Sequence, residues 1–346
     1  MKVILFCQNA YAFGIMKPLR DVLSNQGHSY VWYITPKLKD LFPFQEDPVT
    51  QSIQELNSFK SDAIICPGNE VPYYLRGVKV QIFHGLAGEK KGHFRVRHYF
   101  DLYLTQGPYF TTGFKKLQQK YNDFEVKETG WPKLDTYVSI KDSASQEKES
   151  ILNKHKASKI ILYAPTFSPS LTSAGDFIEE IETLAHNKEY VIHIKFHDLM
   201  DPVYIENYKT IAATFDNVYF IEERDIVKQL VIADVLVSDT SSVIYEFLLL
   251  DKPVITYNNI NSQIRWDNIT DATQLEKTIH DNLSNDPFGD QRSTVIASYH
   301  PYKDGKSSER IIDTIQEYIA LNEVPTKRKL PLLRRWKINK LFDKNS

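Results

Sequence analysis

Sulfur is scarce in this chain: two cysteines and three methionines stand among 346 residues. Cys7 and Cys66 each lie in or beside a short apolar run, which argues for buried thiols over a disulfide or a metal-binding pair. Long apolar runs are missing too, and no stretch approaches the roughly 18 residues that a membrane-crossing helix needs. Met1-Lys2 leads straight into the strand-like VILFC with no separate signal peptide, so a cytoplasmic protein is expected. Neither sign of charge dominates, since 42 Lys and Arg face 44 Asp and Glu for a net charge of −2. That balance gives no reason to expect nucleic acid as a partner. Internal repeats, low-complexity tracts, a Walker A sequence and a close GxGxxG match are also absent, which takes weight from P-loop and nicotinamide readings.

What the chain does have is alternation. VILFC, SYVWYIT, AIICPG, VKVQIFHG and DLYLTQG read as strands, with helices through Leu23 and from Ile53 to Phe59. A second series starts at Lys159. KIILYAP, YVIHIKFH, NVYFIE, VLVS and PVITY are its strands, and FIEEIETLA, IVKQLVIA and SVIYEFLLL its helices. Apolar strands joined by crossover helices predict parallel sheets buried on both faces. The expected fold is therefore α/β, with two facing Rossmann-like domains and ligands at the carboxyl ends of the strands, in the cleft between them. The boundaries read as 1–150 for an N-terminal domain, 151–322 for a second domain and 323–346 for a basic tail. The polar stretch 141–158 serves as the connection or its first helix.

Chemistry-bearing residues gather at strand ends. In VLVSDTSSVIYEFLLLDKP an apolar strand runs through Ser238, Asp239, Thr240, Ser241 and Ser242 straight into a helix pattern containing Glu246. Hydroxyls and unpaired N–H groups at such a junction suit a phosphate, and Asp239, Ser241 or Ser242 suits the helix cap. His84 follows the strand VKVQIF and precedes Gly85, and a histidine there can take a proton from an alcohol. The glycine-punctuated loop after it carries Lys90, Lys91, His93, Arg95, Arg97 and His98, a positive surface for an anionic acceptor. Strand alternation along HIKFH puts His193, Lys195 and His197 on one side. Lys195 or His197 could neutralise a diphosphate leaving group. Thr166 ends the strand of Tyr163-Ala164-Pro165. No zinc or metalloprotease spacing links the histidines, so no resident metal is expected, while Mg²⁺ carried on a nucleotide diphosphate is compatible. The segment from Lys327, KRKLPLLRRWKINKLFDKNS, carries eight Lys or Arg against Asp343, interleaved with leucines and Trp336. Such a segment suits an anionic membrane surface or packs across the protein with its charges in water.

Taken in order, these segments resemble the CDP-glycerol glycerophosphotransferase family of teichoic-acid and related capsule synthesis. Phe83-His84-Gly85 with Lys90 and Gly92 is similar to its His-Gly element, though the family usually has tryptophan where Phe83 stands. Ile161 to Thr166 is similar to a strand end of that family. Lys195 with His197 is similar to its Lys-x-His, with Asp198 where proline is common. Ser238 to Ser242, continuing through Glu246 and Leu250-Asp251-Lys252-Pro253, and Asp304 through Ile311 complete the series. The resemblance implies a GT-B fold, an acceptor-side N-terminal domain and a C-terminal domain for the CDP-activated donor. It implies His84 as general base, with His197 beside it among the catalytic candidates. It further implies that Lys195, Thr166, Ser238, Asp239, Thr240, Ser241, Ser242, Glu246, Ser307 and Arg310 hold the donor, and that Lys90, Lys91, Arg95 and Arg97 meet the acceptor. The expected reaction passes glycerol phosphate or a related polyol phosphate from CDP-glycerol or its analogue to a lipid-linked or saccharide hydroxyl, releasing CMP, at the inner face of the cell membrane. Without a large extra N-terminal region, a single-addition enzyme is the easier expectation. Two alternatives stay open: a GT-B glycosyltransferase using a UDP- or CMP-sugar, and a noncatalytic protein that binds nucleotide or polyanion.

Overall fold

The computed structural model describes residues 1–86, 88, 92–261 and 263–342. By its internal contacts the chain forms two compact units, one of Met1–Val138 with Ser298–Ser346, the other of Ser139–Ala297. In the first unit β1 (Lys2–Cys7), α1 (Tyr11–Asn25), β2 (Ser29–Ile34), β3 (Val49–Thr50), α2 (Ile53–Phe59), β4 (Ala63–Cys66) and β5 (Val78–Gln81) come first. They are followed by β6 (Leu102–Thr105), α3 (Pro108–Tyr121), β7 (Glu125–Glu128) and α4 (Lys133–Ser139). All pairings are parallel, in the order β3-β2-β1-β4-β5-β6-β7. The central strands are buried along their length, as continuous apolar runs such as AIIC and LYLT require when helices cover both faces.

The second unit holds α5 (Lys141–His155), β8 (Lys159–Tyr163), α6 (Ile178–Ala185), β9 (Tyr190–Ile194), α7 (Pro202–Thr214), β10 (Val218–Phe220) and α8 (Val227–Ile232). After these come β11 (Val235–Ser238), α9 (Val243–Leu248), β12 (Val254–Tyr257), β13 (Asp267–Ile269) and α10 (Leu275–Asn285). Its sheet is parallel as well, ordered β10-β9-β8-β11-β12-β13. Helix α11 (Gly289–Tyr299) leads out of it, and α12 (Ser307–Leu321) and α13 (Leu332–Leu341) follow. Local chemistry sets several starts. The Ser52 hydroxyl accepts from the Glu55 N–H at 3.3 Å ahead of α2, and Asp201 accepts from the Val203 N–H at 2.9 Å ahead of α7, with Pro202 at its first turn.

These boundaries correct the expected ones. Helix α5 belongs to the second unit because Lys148 Nζ pairs with Asp234 at 2.5 Å and the helix packs on α8. The segment after 298 does not stay with the second unit, and 323–346 is not a separate tail. Helix α12 packs on α1, and Leu330, Ile338 and Phe342 are buried in the same core as Ile4, Phe6 and Tyr33.

Candidate functional site

In a doubly wound sheet the loops diverge where strand order reverses, and ligands collect there, at the carboxyl ends. In the first unit that point lies between β1 and β4. The segment following β4 acts as a hub: the Pro67 carbonyl accepts from His84 Nδ1 at 3.0 Å, Gly68 O from Gln81 Nε2 at 2.8 Å, and Asn69 Oδ1 from Arg97 Nη1 at 3.1 Å. A carbonyl can only accept, so His84 carries a proton on Nδ1, and in the neutral ring the lone pair is on Nε2. Phe83 makes this exposure possible. Its φ of 60° is rare for a bulky residue, and it turns the chain so that the Phe83 ring packs inward, 4.9 Å from the Phe114 ring centroid, while His84 lies at the surface.

The residues of the basic loop have different surroundings. His93 packs among Phe83, Phe94 and Phe110, and burial first, with the His84 charge second, lowers its pKa to about 4. It is a neutral packing ring. His98 is held by Asp123 at 2.8 Å. Arg95 is exposed and Arg97 half-buried on the hub. Lys90 and Lys91 lie outside the described residues. Sequence reasoning passed over Gln106, the residue that follows β6: its Nε2 donates to the Gly85 carbonyl at 2.9 Å, and its buried Oε1 has no partner among the described residues. The polar pair Thr105-Gln106 closing DLYLTQ was the available signal.

In the second unit the reversal falls between β8 and β11, the strands that end in Tyr163 and Ser238. The Asp239 carboxylate reaches back across this point. It accepts from the Thr166 N–H at 2.9 Å, and from the Ser173 N–H at 3.0 Å and hydroxyl at 3.1 Å. Burial raises the Asp239 pKa, and those hydrogen bonds oppose the rise. Ser238 donates to Ala164 O at 2.6 Å. Asp239 and Ser238 are thus internal braces, and Asp239 does not cap α9. Ser241 Oγ accepts the Val243 N–H at 3.4 Å, and Ser242 is exposed. Thr240 Oγ1 is buried with no partner among the described residues, and Glu246 is half-buried in the first turn of α9.

The loop after β9 joins this cluster through the Phe167 and His197 rings, 4.4 Å apart. The strand stops at Ile194, so the expected one-sided row of His193, Lys195 and His197 does not form. His193 is buried on Gln229 at 2.6 Å, Lys195 Nζ donates to Phe196 O at 2.6 Å, and His197 is exposed. Burial lowers the pKa of Lys195 and of His197, in each case against the pull of Asp198. Ser307 and Arg310, expected with the donor residues of the second domain, belong to the first unit. The Ser307 and Ser308 N–H groups donate to Asp135 at 2.9 and 2.7 Å, and Arg310 pairs with Asp304 at 2.8 Å and donates to Thr129 O at 2.9 Å. Asp135 therefore already fills the start of α12. Among the described residues, no group of three or more His, Cys, Asp or Glu side chains is placed to hold a metal ion.

Two parallel, doubly wound sheets with polar residues at each reversal of strand order define a GT-B-like α/β protein. The family model for CDP-Glycerol:Poly(glycerophosphate) glycerophosphotransferase matches residues 84–317, beginning at His84, and the chain belongs to that family. It is 27% identical to the teichoic acid glycerol-phosphate primase of Bacillus subtilis (strain 168) over 63% of this chain and 58% of that one. It is 26% identical to the teichoic acid ribitol-phosphate polymerase TarL of Staphylococcus aureus (strain NCTC 8325 / PS 47) over 67% of this chain and 46% of that one. The chain thus spans about half the length of the curated relatives it matches. The wall teichoic acid polymerase TagF structure superposes with a TM-score of 0.65 at 16% identity, covering 92% of this chain and 89% of that one. The S. aureus MnaA–UDP co-structure superposes with a TM-score of 0.67 at 17% identity over 94% and 99%. At such identities both likenesses speak for the fold alone.

Proposed function

We propose that this chain transfers a polyol phosphate, glycerol phosphate first among them, from a CDP-activated donor to a hydroxyl of a lipid-linked or saccharide acceptor of a cell-surface polymer, working at the inner face of the membrane. The observation that carries this reading is the hydrogen bond from His84 Nδ1–H to Pro67 O, which in the neutral ring leaves Nε2 as the proton acceptor, at the residue where the family match begins. The acceptor O–H gives its proton to His84 Nε2 as its oxygen bonds to the β-phosphorus. The bond from that phosphorus to the bridging oxygen breaks, and CMP leaves with the electron pair.

Lys195, His197 and the Thr240, Ser241 and Ser242 hydroxyls bind the diphosphate and offset charge on the leaving phosphate. Glu246 meets the ribose, Thr166 is set in place by Asp239, and Arg95, Arg97, Lys90 and Lys91 receive the anionic acceptor. Mg²⁺, where present, rides on the donor diphosphate.

The test is mass spectrometry of purified protein with CDP-glycerol, CDP-ribitol, CMP-sugars and UDP-sugars, each with lipid-linked and phosphosugar acceptors. CMP together with a polyol-phosphate mass increment supports the reading. A sugar increment overturns it in favour of glycosyl transfer, and donor binding without product under every acceptor favours a binding protein.

A further inference from the structure

Helix α13 carries two apolar rows, and only one of them is used by the fold. Ile338 is fully buried and Phe342 nearly so, with the Phe342 ring 5.4 Å from Phe6 and its carbonyl accepting from Tyr74 Oη at 3.0 Å. Ahead of the helix, Arg328 is buried on Asp101, Asp123 and the His98 carbonyl. The opposite row faces water: Leu332 is 81% exposed, Leu333 83% and Trp336 66%. At about 100° per residue these three fall within an arc of about 100° on the helix, with Lys340 inside the same arc. Lys340 Nζ lies 5.5 Å from the Trp336 ring centroid. Contiguous exposed apolar side chains of this size on a well-anchored helix mark a contact surface.

Charge selects the occupant. Between Glu323 and Asp343 the sequence has no acidic residue, while Lys327, Lys329, Arg334, Arg335, Lys337 and Lys340 surround the apolar row. A second copy docking by the same face would bring two such sets of cations together, which repel. An anionic bilayer offers both what the leucines and tryptophan want and what the cations want: acyl chains beneath phosphate headgroups, with lysine and arginine stems reaching up to the headgroup level.

We infer that the Leu332, Leu333 and Trp336 face of α13, with its cationic surround, is a docking surface for an anionic lipid bilayer. The inference deepens the lipid-linked acceptor reading, because the same helix is tied to the base: Lys337 Nζ pairs at 2.7 Å with Glu70, three residues after the Pro67 carbonyl that holds His84. Docking by α13 therefore sets the His84 segment near the surface where a lipid-linked hydroxyl is presented.

The experiment is co-sedimentation of the full chain with phosphatidylcholine vesicles, with and without phosphatidylglycerol, comparing wild type with the Leu332→Glu, Leu333→Glu, Trp336→Glu triple variant. The wild type is expected to bind the anionic vesicles and to be released by salt. The variant is expected to lose at least about tenfold in partitioning, with its thermal midpoint and its turnover of a water-soluble acceptor unchanged. A blue shift of tryptophan emission on adding anionic vesicles, absent in Trp336→Phe, gives an independent reading. Equal binding by variant and wild type overturns the inference, as does wild-type binding to neutral vesicles alone. A concentration-dependent dimer that the triple variant abolishes, with vesicle binding intact, overturns it in favour of self-association. Loss of vesicle binding in the variant, with no transferase product from either protein, leaves the docking surface standing and removes the proposed reaction.

Discussion

The Thr166 backbone N–H and Asp239 Oδ1 meet at 2.9 Å across the point where the second sheet reverses its strand order. The same carboxylate accepts three further bonds, from the Ser173 N–H, the Ser173 hydroxyl and the Thr240 N–H. It thereby fixes the loop after β8 against the end of β11, and the Thr166 and Thr240 backbones with them.

Replacing Asp239 by asparagine removes one acceptor oxygen and sets an NH₂ against N–H donors in a buried place. The expected cost is about 2–4 kcal/mol of stability, read as a lower urea midpoint. Donor KM is expected to rise more than kcat falls, because Thr166 loses its anchor.

His84→Gln keeps a donor for Pro67 O and removes the base. Turnover is expected to fall by roughly 10² to 10⁴-fold, while the thermal midpoint stays put because the ring is exposed. Near-normal kcat at saturating donor would show that another group takes the proton.

Arg328 joins the last segment to the first unit through the Asp101 and Asp123 carboxylates. Arg328→Met leaves Asp101 nearly buried without its cation, and a loss of about 3–5 kcal/mol is expected in equilibrium unfolding. A change under about 1 kcal/mol would mean that water relieves the carboxylate.

His300 Nε2 accepts the Trp131 N–H at 3.0 Å, and burial, followed by the charge of Arg310, lowers its pKa to about 4. An unfolded histidine titrates near 6.5, so between those values the unfolded chain holds the extra proton. Stability is therefore expected to fall as pH drops from about 6.5 towards about 4, by up to roughly 3 kcal/mol for this group. Urea midpoints at about pH 7.5 and about pH 5 should converge for His300→Gln relative to wild type.

The strands were legible because each is a short apolar run bounded by polar turns; KIILY, VLVS and VITY become β8, β11 and β12, and Ile53–Phe59 becomes α2. Helices α3 and α7 escaped notice, the first broken in its pattern by Gly113, the second with buried side chains only at Tyr208 and Ile211. The role of SDTSS was half legible. A polar cluster at a strand end can be read from residue types, but which side chains turn inward depends on partners far along the chain, as Ser173 is for Asp239. The His193, Lys195, His197 row failed for a local reason, since alternation holds only while the strand lasts. Nothing in α12 or α13 reveals which unit they join, because Ile311, Ile315 and Ile338 would fill any apolar groove.

The return of residues 298–346 to the first unit has a consequence for synthesis. All of 139–297 is translated before Leu330, Ile338 and Phe342 exist, so the second unit has its whole sequence while the first still lacks part of its core. The nascent first unit must wait with Phe6, Tyr33 and the Asp101 carboxylate uncovered, and the helix that carries the exposed leucines is the piece that closes it. Order of completion thus runs against order of translation.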